Sequence, residues 1–499
     1  MSPSPELVLP RLRNFIGGEF ADPELSDTPL INPSDQSLLG YQARTSALAL
    51  EAALDCATRC HESRVWYSMG EKRAEVLRDM ALRLESQVEQ LAQIESATTG
   101  VVITQTRFLI GLIPAIFRGA AQALLRHPDC VVSGSGRGTE VWHKPWGPAL
   151  CITPWNSPAP LAAHKIASAL AAGAPVIIKP SECTPFSTQL LIDTIAAVDL
   201  PAGTLQLVHG AREEGSHLVG DKRIKSISFT GGEEGGQAIA AASAKLCRPL
   251  QLELGGHNPF IILPDADREA TFRCLRAGLT TLNGQWCRAV GQIFVPETML
   301  EDIIGGFDEF NSSLAMGPAV NEASAMGPLV HAGHKVRIVK KIEQLESLGA
   351  KRCLSLPRLG REDGCFQAPQ ILRGLSLSDD TGEIFGPVAT IHSFSRVDEL
   401  VRQINRSGLA LSAYLCGSDM DFMYKVVRGL DVGSAKINGV TLTSLSPEAP
   451  RAAWGQSGLG DEGTFETFRF FQGASVLGVV SQAPRNPGFE DRPSPFRGS

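Results

Sequence analysis

The chain has 499 residues, 43% hydrophobic and 20% charged, with 46 Lys and Arg against 53 Asp and Glu for a net charge of −7. That length exceeds one compact core, so two or three domains are expected. Interspersed charge leaves no basic stripe for nucleic acid, and the apolar runs read as broken by Gly, Pro or His before membrane-spanning length.

From the N-terminus, MSPSPELVLPRLRNF lacks the charged segment and apolar core of a secretory signal. Residues 45–127 read as helices: KRAEVLRDMALRLESQVEQLAQIESATT has apolar residues at three- and four-residue spacing. VVSGSGRGTEVWHKPWG at 131–147 reads as a strand. From residue 148 the short apolar runs PALCITPWN, APVIIKPSE, LQLVHG, IKSISFTGG and PLQLELGG alternate with helical segments such as APLAAHKIASALAA. This alternation predicts a parallel sheet covered by helices on both faces, with a ligand crevice at the carboxyl ends of its strands. Asn156, Lys179, Glu182, Gly231 and Glu253 fall at or just past those ends. A second strand–helix series follows residue 287: GQIFVPE, HKVRIVKKIEQLESLG, CFQAPQIL, PVATIHSF, VDELVRQIN and SAKING. FRFFQGASVLGVV reads as a late strand without a sheet of its own, and such edges find partner chains. The Pro-rich end, 481–499, is expected to be disordered.

Eleven cysteines are present, and Cys56 and Cys60 are one residue too far apart for a CxxC pair. No metal or disulfide framework is expected, and reduced thiols point to the cytoplasm. GSGRG at 134–138 has the glycines of a phosphate loop but leads into the strand-like TEVWH, so it reads as a decoy. FTGGEEGG at 229–236 ends a strand and opens a helix; a pyrophosphate cradle and an ordinary Gly-rich turn both stay open. In IKPSE, Lys179 and Glu182 either hold the ribose hydroxyls of an adenosine or form a surface pair. Glu182 would repel a 2′-phosphate, which favours NAD over NADP.

PWNSP at 154–158, KPSE, FTGG with a glycine five residues on, LELGG at 252–256, GQWC at 284–287 and EIFGPV at 383–388 occur in this order. With them the chain resembles the aldehyde dehydrogenase superfamily from about residue 13 to 480. The resemblance implies an α/β fold with a Rossmann-like cofactor domain (1–127 and 148–256), a second α/β catalytic domain (257–465) and a small β oligomerisation arm (128–147 and 466–480). It implies Cys287 as nucleophile, Asn156 with the Cys287 N–H as oxyanion donors and Glu253 as general base. Trp155, Lys179, Glu182, Gly231, Gly232 and Gly236 match cofactor-binding positions, Glu383 the residue on the nicotinamide ribose, and Phe385 the one beside the ring.

His257, Gly232 and Gln292 stand where the family usually carries lysine, Ser or Thr, and arginine. At the substrate mouth, Ser157, His164, Trp286 and Arg288 are the candidates, and Arg288 with His164 suits a polar or anionic aldehyde; a structural ion pair is the competing reading of Arg288. The expected reaction is oxidation of an aldehyde to a carboxylic acid with NAD, NADP being the alternative, through a cysteine thiohemiacetal and thioester. Release of the thioester to coenzyme A, and a catalytically weak binding protein, are the rival readings. A homodimer or homotetramer is expected.

Overall fold

The computed structural model describes residues 7–132, 139–355, 364–377, 379, 381–409, 411–443, 445–446 and 449–478. The GSGRG segment and the 481–499 tail lie outside these residues.

The first sheet has eight strands, in the order Glu19–Ala21, Asn14–Ile16, Leu205–Leu207, Val176–Lys179, Ala149–Ile152, Ser226–Thr230, Leu250–Glu253 and Gly458–Leu459. The run from Leu205–Leu207 to Leu250–Glu253 is parallel. Its strands are short and apolar because both faces are covered. Leu150 and Ile177 pack with Leu50 and Leu54 on one face, while Cys151 and Ile178 pack with Ile166 and Leu170 on the other. The alternation follows from successive side chains pointing to opposite faces. Chain order reverses at Ala149–Ile152, which has Val176–Lys179 on one side and Ser226–Thr230 on the other. A crevice therefore opens beyond Ile152. Helix Pro158–Ala171 starts there; it is buried nearly all round because it is apolar nearly all round.

The second sheet runs Lys351–Arg352, Gln370–Arg373, Val388–Phe394, Val290–Pro296, Asn258–Ile262, Ala413–Cys416 and Ala435–Ile437. It is parallel apart from its first pair. Three of its strands, Lys351–Arg352, Asn258–Ile262 and Ala413–Cys416, are additions to the sequence expectation, as are the antiparallel strands Glu24–Ile31 and Leu38–Arg44. The chain passes between the two sheets through Leu254–His257. It later returns, and Gly458–Leu459 pairs antiparallel with Leu252 and Glu253.

Gln472–Leu477 pairs with Glu140–Pro145, which pairs with Cys130–Val132, in a separate three-stranded sheet. The two unattached strands of the sequence reading thus pair with each other. The FRFF portion differs from expectation: Thr464–Phe470 is a helix, with Phe468 buried against Phe117 and Leu170. Ile103–Arg126 also differs, being long and apolar enough to cross a membrane. It is two helices meeting at Leu112, with Ile103, Ile110, Phe117 and Leu124 in the core.

Candidate active site

The carboxyl ends of the first sheet and the amino ends of the second face one cavity of about 1040 Å³. Its lining includes Trp155, Asn156, Ser157, His164, Gly231, Gly232, Glu253, Trp286, Cys287, Arg288, Glu383 and Phe385. Cys287 is the only cysteine among the lining residues. Gly236, Lys179 and Glu182 are not among them.

Cys287 follows a turn that few sequences could hold. Leu282, Asn283 and Gly284 have φ of 48°, 58° and 75°, and left-handed backbone is costly without glycine or asparagine. A side chain at Gly284 would also strike the backbone of Gly386 and Pro387. Buried amides fix the turn. Asn283 Nδ2 donates to Gly100 O (2.7 Å) and Pro328 O (2.8 Å), and its Oδ1 accepts from Gly327 N (2.8 Å). Gln285 Oε1 accepts from Val330 N at 2.9 Å. Beyond the turn, Asn258 Nδ2 donates to Cys287 O (2.9 Å) and Ala289 O (2.8 Å), and Tyr414 Oη donates to Arg288 O at 2.7 Å. Replacing Asn283 by alanine strands these buried backbone groups and should cost about 2–3 kcal/mol. Urea unfolding would register it as a lower midpoint at unchanged slope.

Asn156 is buried in the turn after Ala149–Ile152, and its Nδ2 donates to Gln285 O at 2.8 Å, two residues before the cysteine. An amide nitrogen carries two hydrogens, so one donor remains. Among the described residues no acceptor takes the Cys287 N–H. Both expected oxyanion donors are therefore unspent. The helix after Asn156 is anchored from below by buried Glu95, whose Oε2 accepts from Ala159 N at 3.0 Å. Burial pushes the Glu95 carboxyl up to about 7.

Glu253 ends its strand with Oε1 buried and without a hydrogen-bond partner. Burial, helped by the nearby charge of Glu462, pushes it up to about 8, against the pull of Arg288, Arg451 and Lys165. Burial likewise pushes the Cys287 thiol up to about 12, Arg288 acting in the opposite direction. The resting sulfur is thus held as the thiol. Behind Glu253 lies a charged network absent from the sequence reading. Lys165 Nζ, fully buried, donates to Ser228 Oγ (2.7 Å) and Glu462 Oε1 (2.9 Å). Arg451 reaches Glu462 Oε2 at 3.2 Å. Against the penalty of burial, Lys165 and Arg451 hold the Glu462 carboxyl far below its ordinary range. A lysine inside the apolar LAAHKIASAL segment was the available signal.

His164 faces the charged network rather than an open anion site. Its Nε2 lies 3.0 Å from Thr467 Oγ1, and burial pushes the imidazole down to about 3, so it is neutral. Ser157 is buried at the start of the same helix. His257 is a neutral buried side chain whose Nε2 lies 2.8 Å from Thr381 Oγ1. Gln292 lies within strand Val290–Pro296, beside Thr390 and Pro259.

On the other side of the cavity, Trp155 meets Phe385 and His334 edge to face, with centroids 5.2 and 5.0 Å apart. Phe385 has φ 51°, and its carbonyl lies 2.9 Å from His334 Nε2. Glu383 Oε1 accepts from Gly256 N at 3.0 Å, and a side chain at Gly255 would collide with the Glu383 carboxylate. Gly232 precedes helix Glu233–Ala244 with open space beside it. Glu233 and Glu234 fill the first turn, which weakens that helix end as an anion site. Gly236, one turn into the helix, lies against Leu254. Lys179 is buried, donates to Pro180 O at 3.2 Å, and is held below its ordinary range by burial, with Glu182 and Glu214 acting against it.

Residues 20–476 match the model of the aldehyde dehydrogenase family. The chain is 31% identical to a geranial dehydrogenase of Castellaniella defragrans, over 90% of this chain and 94% of that one. It is 29% identical to aminoaldehyde dehydrogenase 1 of Malus domestica, over 91% and 93% respectively. The crystal structure of betaine aldehyde dehydrogenase from Staphylococcus aureus in complex with NAD+ superposes with a TM-score of 0.91 at 27% identity, covering 97% of each chain.

Proposed function

The chain belongs to the aldehyde dehydrogenase family, and from that premise we propose that it oxidises an aldehyde to the carboxylic acid with Cys287 as nucleophile, Asn156 and the Cys287 N–H as oxyanion donors, and Glu253 as base. The observation that carries this reading is the convergence of these residues on one cavity, with Asn156 tied to Gln285 O at 2.8 Å.

Glu253, ionised above about pH 8, accepts the thiol proton as the sulfur adds to the aldehyde carbon. The new oxyanion falls to Asn156 Nδ2 and the Cys287 N–H, donors already fixed before reaction. NAD, when bound, supplies the hydride acceptor that turns the thiohemiacetal into a thioester. Glu253, once it has passed the thiol proton to solvent, takes a proton from water, which attacks the thioester; the acid leaves and the Cys287 sulfur is set free. A buried carboxyl with an unpartnered oxygen favours this hydrolysis over transfer to coenzyme A.

The residues present fit the dinucleotide. Gly255 leaves room for Glu383, the candidate on the nicotinamide ribose, and Trp155 and Phe385 wall the adjoining space. Lys179 keeps two of its three donors for ribose hydroxyls. Glu182, in electrostatic reach of Lys179, supports NAD over NADP. Replacing Glu182 by glutamine should narrow the NAD-to-NADP preference in kcat/KM by about tenfold, read as NADH against NADPH formation at saturating aldehyde.

The cofactor is assigned to the first sheet, the substrate to the second, and self-association to the three-stranded sheet. Val131 and Val132 at one edge of that sheet, and Val476 and Leu477 at the other, are exposed, which supports a homodimer or homotetramer. All eleven cysteines are unpaired thiols, in keeping with a reducing, cytoplasmic setting. The deciding experiment is NADH formation across a panel of aldehydes, with and without coenzyme A. Acid without coenzyme A supports the proposal, and no NADH with any aldehyde overturns it.

A further inference from the structure

Arg288 is the residue after the nucleophile, and its side chain is 8% exposed on the wall of the cavity. Its backbone is secured by Tyr414 Oη, and its neighbours' carbonyls by Asn258, so the guanidinium has no part in holding the turn. Among the described residues it makes no ion pair, and its Nε has no hydrogen-bond partner. A guanidinium has five donors and cannot shed its charge. Burying one without an anion is costly, which marks the guanidinium as a docking point rather than a brace.

The neighbouring groups do not compensate it. Glu253 lies beyond ion-pair distance and is neutral below about pH 8. Two other cations nearby are engaged elsewhere. Arg451 closes on Glu462 at 3.2 Å, and Lys436 Nζ donates to Thr441 O (2.7 Å) and Thr443 O (3.2 Å). His164 is neutral. The surrounding wall is apolar, with Leu282, Trp286 and Leu442, and a charge-assisted pair gains strength where water is thin.

We propose that Arg288 is the specificity-determining residue of this site, its guanidinium gripping the carboxylate of a short aldehyde acid whose carbonyl meets Cys287. A single planar fork matches a single carboxylate; a phosphate dianion would call for a second cation. The acid must be short because the anchor and the sulfur belong to adjacent residues, whose Cα atoms lie about 3.8 Å apart. This rests on the reading of Cys287 as the reacting sulfur.

The test compares 4-oxobutanoate with butanal, chains of equal length that differ in the carboxylate. Removing Arg288 also takes a favourable charge from Cys287, which slows both aldehydes, so the ratio of their kcat/KM values is the readout. In Arg288→Gln the 4-oxobutanoate-to-butanal ratio should fall about 10- to 100-fold. Arg288→Lys, keeping the charge without the fork, should fall in between, and it carries the same comparison if the neutral variant does not fold. A ratio unchanged within about twofold in both variants overturns the proposal. Calorimetric titration of the full chain with succinate separates this idea from the reaction itself. Binding weakened about tenfold or more in the variant supports the carboxylate site even if no aldehyde yields NADH, a result that would sink only the oxidation reading. Equal binding by wild type and variant overturns the site.

Discussion

Replacing Cys287 by serine should lower the steady-state rate of NADH formation by about 10⁴-fold or more, while NAD binding, followed by quenching of Trp155, persists. The alcohol is a far weaker nucleophile than the sulfur and holds its proton more tightly. None of the other ten cysteines lines the cavity. Cys151, in strand Ala149–Ile152 of the first sheet, is fully buried, and burial pushes its thiol up to about 12. Oxidation that survives in Cys287→Ser would overturn the assigned nucleophile. If the wild type also yields no NADH while NAD still binds, the chain acts as a binding protein instead.

The groups proposed to react could be picked out because each sits in a short contiguous motif at a strand end or tight turn, where local chemistry constrains sequence. PWN, LELGG and GQWC mark Asn156, Glu253 and Cys287 within a few residues apiece. The supporting network was not legible, because its members meet only through tertiary pairing. Lys165 and Glu462 are 297 residues apart and come together when Gly458–Leu459 returns to pair beside Glu253. His164 shows the same limit in reverse. Its place on a helix was readable, but only burial beside Thr467 and Arg451 makes its imidazole neutral. The central strands of the first sheet stood out by their regular alternation with helices. Asn258–Ile262 follows another strand after a short Gly–Gly link, with no helix to separate them, and so merged with the motif before it. In FRFF, three aromatics imitate a strand, yet the positions of Thr467 and Phe468 on the inner side of a short helix decide its form.

Replacing Glu253 by glutamine should reduce the steady-state rate about 10²- to 10⁴-fold, yet leave a first turnover visible in rapid mixing. The amide keeps the shape of the carboxyl but cannot accept a proton. Two proton transfers are assigned to this group, and they respond differently to pH. The first is loss of the Cys287 proton, which hydroxide can also remove, so the burst in Glu253→Gln should speed up steadily as pH rises. The second is activation of water against the thioester, for which the described residues of the cavity offer no comparable base: Glu383 is held by Gly256 N, and Glu462 is locked between Lys165 and Arg451. The burst should therefore approach one NADH per site, with little turnover after it. Wild-type enzyme should gain rate as pH climbs through about 8, because burial has raised Glu253 to that value and only its ionised form is a base. That limb should vanish from the steady-state profile of Glu253→Gln. A variant that keeps both the wild-type rate and the rise near pH 8 would assign the base to another group and leave Glu253 a purely structural carboxyl.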